Sequence, residues 1–217
     1  MTQKTSERAI PSDLLMRLRS IVPKRALFYS EALTVAKLQA LRLRSLLGIS
    51  SPHADLTWLL QVPNMQVKGL PAHEIRELTK GDASGVTQRL SDGDYFIGIN
   101  RNRSYTHRRF TVAHEIKHWL DYPYRSTLYR TLGHGDKEAH HKQIERVCDH
   151  FAAHFLVPDT LLKQAWTTGF QDVSALAGLF SVSEDTMRIR LQNEGFLDTE
   201  EISLFRRVGV LPRLCAA

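Results

Sequence analysis

The chain has 217 residues, enough for one sizeable core or a core with a small appendage, and it carries a net charge of +6. No apolar run approaches the roughly eighteen residues of a membrane span. Two cysteines, Cys148 and Cys215, give no disulfide framework, and Met1 to Pro11 is too polar for a secretory h-region, so the sequence points to a cytoplasmic protein.

The charge is uneven. Residues 1–50 hold nine Lys and Arg against three Asp and Glu, whereas the other 167 carry twenty of each. Within this basic N-terminal segment, Ser30 to Leu47 has Ala32, Val35, Ala36, Leu43 and Leu46 at helical spacing, interleaved with Lys37, Arg42 and Arg44. That pattern predicts a helix packed on the rest of the molecule with a basic outer face. Solvated charge is one reading of such a face; an acidic partner or nucleic acid is the other.

Residues 54–80 read as an α-rich piece broken by Pro63 and Pro71, with loops at Gly69 and from Gly81 to Gly85. Leu90 to Asn100 reads as the end of a hairpin, with Ser91-Asp92-Gly93-Asp94 as the turn and Tyr95 to Ile99 as a strand. That strand is expected to offer a sheet edge to an extended peptide. A basic connector, Arg101 to Arg109, leads into Phe110 to Leu120, where Phe110, Ala113, Ile116 and Leu120 form one apolar stripe of a helix.

This helix carries His114-Glu115-Ile116-Lys117-His118, the H-E-x-x-H pattern of zinc peptidases. Residues i and i+4 project from one face, so both imidazoles reach one tetrahedral ion at about 2.0–2.1 Å. Glu115, beside them, accepts a proton from water whose pKa the metal lowers toward roughly 7. Burying two histidines in so apolar a helix is costly unless each ring nitrogen finds a partner, which ligation supplies. Lys117 is expected to point away from the metal face.

A catalytic zinc needs a third protein ligand. A continuation H-E-x-x-H-x-x-G-x-x-H is excluded, because Asp121 and Tyr124 stand where its glycine and histidine would be. Beyond a flexible-looking loop, Gly133 to Asp136, the stretch Lys137 to Val157 runs without Gly or Pro to Pro158 and reads as one helix. Glu145 and Asp149 share a face of it at i and i+4. The economical assignment makes Glu145 the third ligand and Asp149 the acceptor that orients a histidine ligand through its other ring N–H. A solvated amphipathic face is the competing reading. His150 and His154 repeat the spacing on another face and read as packing or surface residues, while His141 lies one turn before Glu145. Tyr105, Tyr122, Tyr124, Tyr129, His134, His140 and His141 occupy segments that could line the cleft; Tyr122, His134 and His141 are the candidates to contact substrate or the oxyanion.

Val173 to Phe180 and Glu184 to Asn193 read as helix, turn and helix, with Ser183 as N-cap of the second. Arg188 and Arg190 would suit a DNA-facing helix, although two arginines make a weak electrostatic footprint. The expected organisation is a basic helical segment over 1–50, a metal-binding core over 51–165 and a C-terminal helical segment over 166–217, packed on that core.

Three segments resemble the ImmA/IrrE metallopeptidases. Arg109-Phe110-Thr111-Val112-Ala113-His114-Glu115-Ile116-Lys117-His118 is similar to that family's "RFTLAHELGH", and Glu145 to Pro158 is similar to "ExxANxFAAxLLMP". Leu176 to Ser183 with Arg190-Leu191 resembles the element that closes the family's core. Lys117 replaces a usual glycine, Cys148 a common alanine and Asp149 a usual asparagine; none of these removes a ligand. The resemblance implies an α+β, gluzincin-like fold, mainly helical, with a small antiparallel sheet on the zinc-binding helices. It also implies Zn2+ held by His114, His118 and Glu145, with Glu115 as general base. By the same resemblance the chain is an intracellular endopeptidase acting on a helix-turn-helix repressor or antitoxin in stress or mobile-element control. The alternatives are the toxin of a toxin–antitoxin pair held by such an antitoxin, and a DNA-binding regulator using the C-terminal helical pair.

Overall fold

The computed structural model describes Pro11 and residues 13–197. Its centre is where three apolar helix faces meet. Helix α1 (Leu14–Arg19) leads into α2 (Tyr29–Leu47), which buries Ala32, Val35, Ala36, Ala40 and Leu43 and stops at Gly48, whose left-handed φ of 66° no longer continues a helix. A short 3₁₀ turn (Thr57–Gln61) precedes β1 (Met65–Leu70), α3 (Ala72–Thr79), β2 (Gly85–Arg89) and β3 (Tyr95–Asn100). Then come α4 (Tyr105–Asp121), α5 (Arg125–Leu128), a turn over Leu132–Gly135, α6 (Lys137–Leu156), α7 (Asp159–Thr167), α8 (Val173–Phe180) and α9 (Glu184–Asn193). Helix α6 packs against both α2 and α4 through Val147, Phe151, Ala152 and Phe155, and buried residues from Leu14 to Leu191 join in one continuous core. Among the described residues, no helix is long and apolar enough to cross a membrane.

The fold is α+β and mainly helical, as the sequence indicates, but the three-stranded sheet is mixed rather than antiparallel. Its order is β1-β3-β2, with β1 parallel to β3 and β2 antiparallel to it. The added strand, β1, lies in the stretch read as α-rich. Its Gln66 and Lys68 are exposed while Met65 and Val67 are half-buried, a short apolar–polar alternation that the α-rich reading passed over, and β3 supplies its hydrogen bonds. Strand β3 is therefore central, and Tyr95 to Asn100 offers no free edge; the edge beside α4 belongs to β2. Helix α4 also starts earlier than the apolar stripe suggests, inside the basic connector, because Ser104 caps it by accepting a hydrogen bond from the His107 N–H at 3.3 Å.

The expected basic faces are reduced by packing. Arg44 is buried and donates to the carbonyls of Phe155 (2.8 Å) and Ser51, tying α2 to α6. Arg190, 1% exposed, donates to Val157 O and to the Asp159 and Glu194 carboxylates, and Arg188 pairs with Glu184 at 3.5 Å. Ser183 caps α9 as expected. The C-terminal helical pair thus turns one of its two arginines into the core, where it cannot meet DNA.

Asp159, at the start of α7, gathers Lys37 from α2, His154 from α6 and Arg190 from α9. His154 is buried, with Nδ1 2.9 Å from the His150 carbonyl, and the two imidazoles lie 4.2 Å apart. Burial first, then the cations Arg190 and Lys37 and, for His150, the neighbouring His154, hold both histidines down to about 4. Unfolded, each would titrate near 6.5, so the unfolded chain takes up protons that the folded chain refuses as pH falls from about 6.5 to about 4. Their contribution is fully present above that window and is lost through it. Urea-unfolding stability is expected to fall between pH 7.5 and pH 5, and by less in a His150→Gln/His154→Gln variant; an equal fall in both proteins would refute the assignment.

Candidate metal centre

Helices α4 and α6 cross so that His114, His118 and Glu145 converge. His114 Nε2 lies 3.1 Å from His118 Nε2, Glu145 Oε2 is 3.3 Å from His114 Nε2, and Glu145 Oε1 is 3.5 Å from His118 Nε2. A tetrahedron with bonds of about 2.0–2.1 Å has edges of about 3.3–3.4 Å, so these donor separations fit one zinc-sized ion. Asp149 Oδ1 sits 2.8 Å from His114 Nδ1 and accepts its N–H, so that with a metal bound the Nε2 lone pair would face the other two donors. Residues 145 and 149 share the face that the i, i+4 spacing requires.

A sulfur is also close. A Cys148 donor atom and one from each histidine lie within 4.8 Å of one another. Sγ faces His118 Nδ1, at 3.7 Å, on the side of the ring turned away from Glu145. Burial, then the nearby Asp121 carboxylate, pushes this thiol well above its ordinary value. The Glu145 carboxylate oxygens lie on the Nε2 side of both rings, at 3.3 and 3.5 Å.

The electrostatics suit a bound cation. Burial alone would strip His114 of a proton, but hydrogen bonds to Asp149 and Glu145 outweigh it and raise the imidazole to about 10. His118, half-buried and facing the charged His114, is held down to about 4 by desolvation and then by that charge. The cluster thus keeps one positive charge against its carboxylates, the place a divalent ion would take. Glu115 is 5% exposed, and burial raises its carboxyl above the usual range while His114 and Thr87 pull it back. A carboxylate raised in this way is suited to accepting a proton near neutral pH.

A cleft of about 430 Å³ opens beside the cluster, lined by His118, Glu145, His141, Arg125, Tyr129 and Ile144 among others. Of the three candidate contact residues, only His141 lines it, with Nδ1 3.8 Å from Glu145 Oε1. Tyr122 packs edge-on against Tyr95 at 5.6 Å, with the Arg125 guanidinium 4.6 Å from its ring centre, and His134 lies exposed in the turn over Leu132–Gly135. The hydroxyl of Tyr129 is taken, since it donates to Asp121. Arg125 and His140 also line the cleft, and Thr87 donates to Glu115 Oε2 at 2.7 Å. His140 is among the residues the sequence placed in a cleft-lining segment, whereas no local motif marks Arg125 or Thr87.

Lys117 does point away from the metal face, but into the core rather than to solvent. Its ammonium donates to Gln39 at 2.7 Å and to Asp121 at 2.8 Å; the three residues are 1%, 0% and 3% exposed. Gln39 donates in turn to the Leu18 carbonyl at 3.1 Å, so the network joins α1, α2 and α4.

Residues 72–192, more than half of the chain, match the IrrE N-terminal-like domain of the M78 peptidases. Among solved structures the chain is similar to a Mycobacterium tuberculosis transcriptional regulator, at 17% identity and a TM-score of 0.56, covering 82% of this chain and 51% of that one. The chain therefore spans about half the length of that protein, and at this identity the likeness is one of fold alone. No curated protein matches. With the H-E-x-x-H helix inside the matched region and its histidines facing Glu145, the chain belongs to the ImmA/IrrE metallopeptidase family.

Proposed function

We propose that this chain is a cytoplasmic zinc endopeptidase in which His114, His118 and Glu145 hold the metal, Glu115 is the general base and Asp149 fixes the His114 tautomer. The observation that supports this best is the triangle of three donors from two helices, at the spacing of one tetrahedral ion. Zinc, when bound, lowers the pKa of a water molecule and polarises the scissile carbonyl. Glu115 takes the water's proton on the oxygen not engaged by Thr87 and passes it to the leaving amide nitrogen. Asp149 keeps His114 presenting Nε2, and the burial of Glu115 keeps bulk water from competing for the proton it carries.

The substrate we propose is a helix-turn-helix repressor or antitoxin, whose cleavage relieves repression. If the chain is instead the toxin of a pair, such a partner binds without being cut. Incubation with the repressor-like protein encoded beside it, read by gel and mass spectrometry, separates cleavage from a stable complex.

Metal analysis tests the site itself. The wild-type protein is expected to hold one zinc per chain, released by a chelator with loss of hydrolysis and restored by added zinc, whereas His114→Ala holds none. Full zinc content in His114→Ala would remove the assignment.

A further inference from the structure

Strand β2 runs along α4 in register with the face that carries the proposed base. Ser84, just before β2, has Oγ 2.8 Å from His107 Nε2. Next, a Cβ added at Gly85 would fall 2.6 Å from Thr111 Cγ2 and 2.8 Å from Glu115 Oε1. Then Thr87 Oγ1 lies 2.7 Å from Glu115 Oε2 and 3.2 Å from the Glu115 carbonyl. Residues 107, 111 and 115 recur every four along one helix face, while 85 and 87 alternate onto one face of the strand. The two elements meet three times, and the last two meetings are at Glu115.

We propose that Gly85 and Thr87 form a cradle that positions Glu115 for proton transfer, with Thr87 holding one carboxylate oxygen and the bare Gly85 backbone leaving room for the other. The inference rests on the reading of Glu115 as general base. Its chemistry is a division of labour between two oxygens: Oε2 accepts the Thr87 O–H, and Oε1 is left to receive and return the proton. A buried carboxylate has few ways to be satisfied, so a hydroxyl that holds Oε2 also selects the side-chain rotamer. Thr87 touches no reacting atom in this scheme and acts only through Glu115.

The test compares Thr87→Val, Thr87→Ser and Gly85→Ala with wild type and Glu115→Gln, using zinc-loaded protein and a mixed library of quenched fluorogenic peptides. Thr87→Val keeps the shape and loses the donor; kcat is expected to fall about ten- to a hundredfold with KM and zinc content unchanged. Thr87→Ser should recover most of the rate. Gly85→Ala should lower kcat by crowding Glu115, again with zinc retained, and it stands as the test should Thr87→Val not fold. A second readout needs no activity: urea unfolding of metal-free Thr87→Val, Glu115→Ala and the double variant should be non-additive. Wild-type kcat in Thr87→Val and Gly85→Ala, equal loss in Thr87→Val and Thr87→Ser, or strict additivity would overturn the cradle. Hydrolysis no faster in wild type than in Glu115→Gln would instead overturn the peptidase reading, while the unfolding cycle still judged the contact.

Discussion

Glu115→Gln is expected to keep its zinc and lose hydrolysis by about a hundred- to ten-thousandfold, the usual worth of a positioned general base. The change is nearly isosteric and touches none of the three convergent donors, so metal content should stay at the wild-type level. An amide oxygen can still accept the Thr87 hydroxyl that now holds Oε2, and the packing against β2 is preserved. What disappears is the capacity to take a proton. Because Glu115 is 5% exposed and its burial disfavours the charged form, the neutral amide should leave thermal stability unchanged or slightly higher. Zinc analysis, melting temperature and peptide turnover on the same preparation check all three consequences. Turnover at the wild-type rate in the zinc-loaded variant would end the mechanism.

Lys117→Met should unfold the protein far more readily without touching the metal donors. Lys117 and Asp121 are an i, i+4 pair with side chains 2% and 3% exposed, and removing one partner leaves a buried charge uncompensated, at a cost of about 3–5 kcal/mol. Against a typical domain stability of about 5–15 kcal/mol, that loss is a large fraction. Gln39 loses its donor as well, while Tyr129 continues to donate to Asp121, so the carboxylate is left hydrogen-bonded but without a counter-charge. The double variant Lys117→Met/Asp121→Leu should recover part of the loss, short of wild type because the Tyr129 hydroxyl would then lack an acceptor. Urea titration of the zinc-loaded proteins measures both; a loss below about 1 kcal/mol in Lys117→Met would show that water reaches Asp121.

How far the sequence reaches depends on the range of the interactions involved. The convergence of His114, His118 and Glu145 follows from two local periodicities and one exclusion, since i, i+4 spacing fixes which side chains share a helix face whatever the helix packs on. The same reasoning aligned Asp149 with Glu145, and the contact with His114 agrees with it. The helices Tyr29–Leu47 and Lys137–Leu156 were legible for a related reason: each carries enough apolar residues at 3.6-residue spacing to demand burial.

Tertiary structure decided what depends on a partner distant in sequence. Strand β1 alternates only over Met65 to Lys68, too short a run to outweigh a helical reading, and is fixed by pairing with β3, thirty residues on in register from Met65 to Tyr95, which turned an expected antiparallel sheet into a mixed one with β1 and β2 as its edges. Arg44, Lys117 and Arg190 look like surface cations in any periodicity plot, yet each is buried because an oxygen from another element waits for it, Phe155 O, Gln39 Oε1 and Val157 O respectively. Tyr122 and His134 lie in the right segments but point elsewhere, because a loop's side-chain directions are set by what the loop packs against. The sequence by itself determined which side chains share the faces of α4 and α6 that meet at the candidate metal centre, because local helical geometry encodes it. Which residues touch Glu115, and which charges remain at the surface, was decided by the approach of β2 and α2 to α4, a matter of packing between segments distant in the chain.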